Sequence, residues 1–329
     1  MSKRTMFVGA ALFGIAVVFG ACGKSTNPTN NNGGGGGGTA NIVIVDSLHL
    51  PGLSVGEPVK VGNNLALYLY SDSLFIINPV SGLVVLTKSY SIYPVGSYND
   101  MLFATNAGGY LCIYNVGSSG TLSLLGSAPF GFGMPYSHGN SGTNLYESTE
   151  GHFYTIDASN PASITISDSL RGFRISRIDV GGTKLIVSAW DSIAVMDITN
   201  PAHPVITALF PSADEAVDAA FHGSTVYIAE RKAGVRIFQL PNVATPVGSI
   251  PAVNDSTDYV VCWSDTLVVG TGSRLLAYDV ADPAHPKKIG EATMPGIIYG
   301  VLHSSGLFVA TTRWVEGSVR LLKVAFTPN

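Results

Sequence analysis

Acids, arginines and aromatic residues recur at related places in this 329-residue chain. Arg171, Arg174 and Arg177 come first, then Asp214, Glu215 and Asp218, then Asp255, Asp258 and Tyr259, and later Tyr299. Phe130, Phe132 and Tyr136 lie on an earlier Gly-rich stretch, and Trp190, Glu230, Arg231, Arg313 and Trp314 lie on neighbouring connections. Two chemistries fit such a set. Carboxylates beside aromatic platforms suit sugars, peptides or a bound cation. A pair of converging carboxylates, Asp218 with Asp255 or Asp258, would suit acid–base hydrolysis or elimination on a sugar or lactone. A plainer reading is that the arginines pair with the acids between neighbouring structural units. Aligned segments put Arg177, Asp218, Tyr259 and Tyr299 at one equivalent position. With Asp258 they form the candidate binding set. The sequence offers no nucleophile motif, phosphate loop or metalloprotease helix, so no catalytic residue, metal ligand or cofactor is assigned.

The elements that position these residues are repeats. SIAVMDITNPAHP begins at Ser192, RLLAYDVADPAHP at Arg274 and HFYTIDASNP at His152. The polar residues ending the apolar runs are Asn78, Asn115, Asp157, Asp197, Gln239, Asp279 and Lys323, at intervals of 37, 42, 40, 42, 40 and 44 residues. A period near forty, with several short β-rich runs split by Gly, Asn, Asp and Ser, is that of a β-propeller blade. The reading is an all-β, seven-bladed propeller of four-stranded antiparallel blades over residues 41–329.

Unit four shows the layout. Strands are expected at 174–180, 184–189, 192–197 and 205–210. Asp197 should close an Asx-turn, and Asn200-Pro201 should start the next turn. The chain stops after the third strand of unit seven. Ile42 to Leu48 (IVIVDSL) matches the fourth strand of unit three, Ile164 to Leu170 (ITISDSL), at five of seven positions. Residues 41–48 are therefore expected to complete the last blade beside 318–325, removing two exposed sheet edges.

These third-strand runs and their Asp-x-Thr/Ser-Asn-Pro-Ala loops resemble the bacterial LVIVD-repeat family. Unit four matches over the whole loop, and unit six departs only at Ala281-Asp282. Unit three lacks the second Pro, and the remaining units are degenerate. The resemblance covers about residues 41–326. It implies a β-propeller in envelope-associated proteins and carries no catalytic residues.

Lys3 and Arg4 precede an apolar run from Met6 to Phe19, then Gly20-Ala21-Cys22. A basic start, a short apolar core and small residues before a cleavage point describe a secretory signal over residues 1–21, too short to span a bilayer. Cys22 after Gly-Ala resembles a lipobox, so Cys22 is the expected lipidation site. Residues 22–40 then read as a lipidated Cys and a flexible tether, with Asn30 to Asn32 and six glycines at 33–38. Such a coil spans on the order of 20–25 Å. Gly23 in place of Asp favours the outer membrane, by resemblance to enteric sorting rules.

Net charge is −4, and loss of Lys3 and Arg4 would make it −6. Nucleic-acid binding needs a basic footprint, which is lacking. Cys112 and Cys262 fall in units two and six and are expected to be separate thiols. His138, His222 and His303 read as one turn position in alternate units, and His203 and His285 as solvated loop residues. Two function classes follow. The first is a lipid-anchored, non-catalytic scaffold of the bacterial envelope whose partner is an envelope protein or glycan. The second is a propeller enzyme, a hydrolase or lyase, acting at the channel mouth.

Overall fold

The computed structural model describes residues 40–51, 58–69, 73–78, 84–88, 92–130, 137–149, 151–172, 175–189, 191–253, 256–304, 307–313 and 318–328. Cys22 and the signal, lipidation and tether readings lie outside these residues, as do Phe132, Tyr136, Arg174, Trp190, Asp255 and Trp314. No helix among the described residues is long and apolar enough to cross a membrane.

The fold is an all-β propeller. Blade one comprises β1's successors β2 (Val59–Val61), β3 (Asn64–Leu69), β4 (Ser73–Ile77) and β5 (Val84–Lys88), where β1 is Ala40–Pro51. Blade two holds β6 (Ile92–Tyr98), β7 (Met101–Asn106), β8 (Tyr110–Val116) and β9 (Leu122–Pro129). Blade three holds β10 (Ser137–Ser141), β11 (Asn144–Thr149), β12 (His152–Asp157) and β13 (Thr165–Arg171). Blade four holds β14 (Ile175–Gly181), β15 (Lys184–Ala189), β16 (Ser192–Asp197) and β17 (Val205–Pro211). Blade five holds β18 (Asp218–His222), β19 (Thr225–Glu230), β20 (Gly234–Gln239) and β21 (Gly248–Ile250). Blade six holds β22 (Tyr259–Trp263), β23 (Thr266–Thr271), β24 (Arg274–Asp279) and β25 (Lys287–Thr293).

The expected ring of seven blades closed by 41–48 needs correction. Six four-stranded blades are contiguous, each made of four consecutive strands. The seventh unit is no such blade. Its strands β26 (Ile297–Ser304), β27 (Leu307–Arg313) and β28 (Ser318–Pro328) form a composite terminal sheet with β1, in the order β1-β28-β27-β26. The paired segments also exceed the expected bounds, running from Ala40↔Pro328 to Pro51↔Ser318 with an irregularity between Ile44 and Asp46. The physical reason is that only three strands follow residue 296. The fourth place must be filled from elsewhere, and the ladder continues for as long as both segments stay extended.

The repeated loops act as clips between blades. In blade four, Asp197 Oδ1 accepts the Thr199 N–H at 2.7 Å and Asn200 Oδ1 accepts the Ala202 N–H at 3.3 Å. Blade three repeats both bonds from Asp157 and Asn160, and blade six from Asp279 and Asp282. Each pair is two Asx-turns in tandem. The N–H directly after each Asp, on Ala158, Ile198 or Val280, donates to a carbonyl in the first hairpin turn of its own blade, at 2.9–3.0 Å. The folded loop then presses on the preceding blade. A Cβ at Gly126 would lie 1.8 Å from the Pro161 carbonyl oxygen, and one at Gly248 2.2 Å from that of Pro283. Tyr146 donates to the Pro201 carbonyl at 3.0 Å across the same kind of junction.

The apolar core lies between blades rather than within them. Strand alternation gives each blade two apolar faces. Phe103, Leu111 and Ile113 of blade two meet Leu145 and Ile156 of blade three. Tyr146 and Phe153, on the opposite face of blade three, meet Ile178, Leu185 and Val187 of blade four. The same arrangement recurs between blades four and five, five and six, and six and the terminal sheet.

Candidate functional site

The first strands of the blades carry the candidate residues to one level. Each hairpin closes on a register pair: Ser141↔Asn144, Gly181↔Lys184, His222↔Thr225 and Trp263↔Thr266. Counting four residues back puts Ser137, Arg177, Asp218 and Tyr259 at one position, opposite Ser148, Ser188, Ala229 and Gly270. In the terminal sheet, Gly300 occupies this position opposite Thr311. Tyr299 is the extra residue of the irregularity between Ile298 and Gly300, so it does not align with Arg177, Asp218 and Tyr259. The sequence alignment had no means of seeing that insertion, and it passed over Ser137.

Asp218 ties three blades together. Its Oδ1 meets Arg177 Nη2 of blade four at 2.9 Å, and its Oδ2 accepts the Val260 N–H of blade six at 2.8 Å. Asp218 is 5 % exposed. A buried carboxylate of this kind must have partners, and these supply charge and hydrogen bonds on both oxygens. Arg177 also reaches Asp179 at 3.1 Å through Nε. Blade three makes the neutral version of the same tie: Ser137 Oγ accepts the Ile178 N–H at 2.7 Å.

A second knot joins blades five and six. Arg231 sits at the start of a 3-10 turn, Arg231–Ala233, with φ +34°. Its Nη1 meets Asp258 Oδ1 at 2.5 Å and its Nε meets Glu215 Oε2 at 3.4 Å. Asp258 also accepts from Ser256 Oγ at 2.7 Å and from the Gly272 N–H at 3.1 Å. Asp214 takes the Glu215 and Lys232 N–H groups at 2.8 and 3.0 Å, which holds its carboxyl below its ordinary range. Glu230 is fully buried and pairs with Arg236, whose guanidinium lies 5.1 Å from the Phe238 ring centre and 5.9 Å from that of Phe210.

The two knots place Arg177 with Asp218, and Arg231 with Asp258 and Glu215. Each acid thus has its own arginine. Among the described residues, no three His, Cys, Asp or Glu side chains converge as a metal site. Cys112 and Cys262 are free thiols, and burial pushes the Cys262 thiol up to about 12.

The histidines depart from the sequence reading. His138 lies within β10 opposite Glu147, His222 closes its hairpin opposite Thr225, and His303 stands opposite Phe308. They therefore share no turn position. The hairpin of blade three turns at Gly142, which has φ +59°, so the SHGN stretch is strand. His203 is an exposed loop residue 3.3 Å from Asp168 of blade three. His285 is likewise exposed, 2.9 Å from Asp282.

Sequence reasoning missed Glu147. It is 2 % exposed, its Oε1 has no hydrogen-bond partner, and burial raises its carboxyl to about 7. A signal was available in the repeat itself. Counting three residues from the start of each second strand gives Leu67, Ala104, Glu147, Val187, Ile228, Val269 and Ala310.

No family model and no curated sequence matches this chain. Solved structures do. The structure of U3-55K aligns with TM-score 0.68 at 11 % identity, covering 84 % of this chain and 98 % of its own. The RRP9 WD40 repeats align with TM-score 0.68 at 10 % identity, covering 86 % and 100 %. The computationally designed Ika8 protein aligns with TM-score 0.59 at 8 % identity, covering 82 % and 96 %. At such identities the likeness is one of fold: the chain is a repeat-built β-propeller with WD40-like structural neighbours.

Proposed function

We propose that this protein is a lipid-anchored interaction scaffold of the bacterial envelope, holding a rigid propeller face toward an envelope protein or glycan. Cys22 is the anchor in this reading, and the Gly/Asn-rich stretch after it is the tether, with the outer membrane the favoured site. Anchoring through a multiply acylated Cys is stable where a single chain is not. The observation that carries the scaffold reading is the state of the mouth carboxylates. Asp218 is held by Arg177 and by the Val260 N–H of the next blade, and Asp258 by Arg231 and by the Gly272 N–H in a turn of its own blade. Acids held in this way stiffen the ring and are poorly placed to exchange protons with a substrate. Fold likeness alone does not choose a function, because propellers host many.

The test is crosslinking in intact native cells, followed by mass spectrometry of what stays attached to the propeller. A reproducible protein partner, with links clustered on one face, is the expected result for the protein form of this reading. Reproducible recovery of a glycan supports its other form. A propeller that is well labelled and carries neither, together with loss of a detectable hydrolase or lyase activity in Asp258→Ala, overturns the scaffold in favour of an enzyme. Globomycin-sensitive processing and acylation of wild type, but not of Cys22→Ala, tests the anchor separately.

A further inference from the structure

The rung beneath the mouth position is apolar in most of the ring. In blade four it reads Ile178–Val187–Ala194 across the first three strands, and in blade six Val260–Val269–Leu276. The terminal sheet has Val301–Ala310–Leu322. Blade five has Ala219–Ile228–Arg236, and that arginine is tied to Glu230. In blade three the rung reads His138–Glu147–Tyr154. Directly opposed residues of antiparallel strands share a face. Tyr154 belongs to the packing between blades two and three, and Glu147 lies on the same face as Leu145 of that core. The row therefore faces blade two.

Blade two meets this row with apolar groups and one hydroxyl. Phe103, Leu111, Ile113 and Val95 are all buried there. Thr105, on the same side of β7 as Phe103, is buried, and its Oγ1 has no hydrogen-bond partner. The titratable groups on this face are Glu147, His138 from β10, and Tyr154 and His152 from β12, the last two stacked with ring centres 5.7 Å apart. β7 and β8 contain no Asp, Glu, Lys or Arg. Thus a carboxyl with an unpartnered oxygen stands where the repeat otherwise places an aliphatic side chain.

We propose that the His138–Glu147–Tyr154 row is a proton-operated latch between blades two and three, closed when Glu147 is protonated and loosened when it ionises. The neutral acid is tolerated in an apolar interface, whereas a carboxylate there has lost water at Oε1 without gaining a hydrogen-bond partner for it. Opening the interface readmits water to Glu147, so ionisation favours opening. The sign follows from linkage. The raised folded value means that closure is unimpaired below the ordinary glutamate range and is progressively weakened as pH rises toward about 7. The latch is independent of the scaffold reading.

Hydrogen exchange on the full chain between pH 5 and 8, corrected for intrinsic base catalysis, tests the latch. Protection of β10 and β11 is expected to fall roughly 10²-fold over this range, with blades five and six as internal controls. Glu147→Gln should abolish the fall. Glu147→Val, the side chain that blade four carries, should do the same and provides a second variant should the amide be poorly tolerated. An unchanged fall in either folded variant, or no fall in wild type, overturns the proposal.

Discussion

Two buried carboxyls stand on neighbouring rungs of their blades under opposite conditions. Asp218, between blades four, five and six, has a guanidinium on one oxygen and a backbone N–H on the other. Glu147, between blades two and three, has an oxygen with no partner at all. Their exposures are nearly equal, 5 % and 2 %, so depth does not distinguish them. Partners do. A buried charge with full hydrogen bonding is a joint, and the same charge without it is a cost that a proton can remove.

The largest expected effect comes from breaking the satisfied side of this comparison. Asp218→Ala takes one of its two acids from Arg177, which keeps Asp179, and removes the acceptor of the buried Val260 N–H, and it should destabilise by about 3 kcal/mol. Asp218→Asn keeps an acceptor for Val260 and should cost less. Denaturant unfolding of both variants measures the difference, and equal losses would mean that the ion pair carries the effect and the Val260 hydrogen bond adds nothing to it.

Changing the unsatisfied side should act in the other direction. Above pH 7, Glu147→Val should stabilise by up to about 3 kcal/mol, the linkage value of the shift from an ordinary 4.5 to about 7. Near pH 4 that advantage should vanish, because the acid is then protonated in both folded and unfolded chains. A Glu147→Val stabilisation that is the same at pH 4 and pH 8 would assign the effect to packing alone.

Adding a methyl group at a blade junction sharpens the contrast between joints and tolerances. Gly126→Ala puts its Cβ into the Pro161 carbonyl, a backbone group, and should destabilise by about 1–3 kcal/mol in chemical denaturation. A neutral outcome would show that the clip loop moves freely. The smallest effect belongs to the loop acid Asp197. The Lys184 ammonium at 2.6 Å, helped by Thr199, holds its carboxyl well below the usual range. Its contribution is present above the ordinary aspartate value and is lost as pH falls toward the folded value. Asp197→Asn should therefore narrow the gap between melting temperatures at pH 3 and pH 7. An unchanged gap would remove Asp197 from the acid response.

Much of the fold could be read from residues that punctuate it. Asp157, Asp197 and Asp279 end third strands and close Asx-turns because a short carboxyl reaches the N–H two residues on. The pairing of IVIVDSL with the chain's last strand was legible because the segment repeats the outer strand of blade three. The bounds were less so, since ladder length depends on two partners at once. The site divided in the same way. Arg177 and Asp218 share a register count and could be aligned, while the added residue at Tyr299 defeats counting. Glu147 stayed hidden because NLYEST reads as an ordinary strand until it is stacked against its sister strands.

The composite terminal sheet has a temporal consequence. A ribosome releases β1 first and β28 last, with 266 residues between Pro51 and Ser318. Blades one to six can assemble in order as they emerge, each from neighbouring strands. β1 cannot pair with β28 until every strand between them has been made. Throughout that interval ANIVIVDSLHLP is an apolar strand waiting for a partner, and distant pairings of this kind are slow and prone to wrong association. A circular permutant that begins at β2 and carries the β1 segment after β28 through a short turn would remove the wait while keeping the β1–β28 ladder.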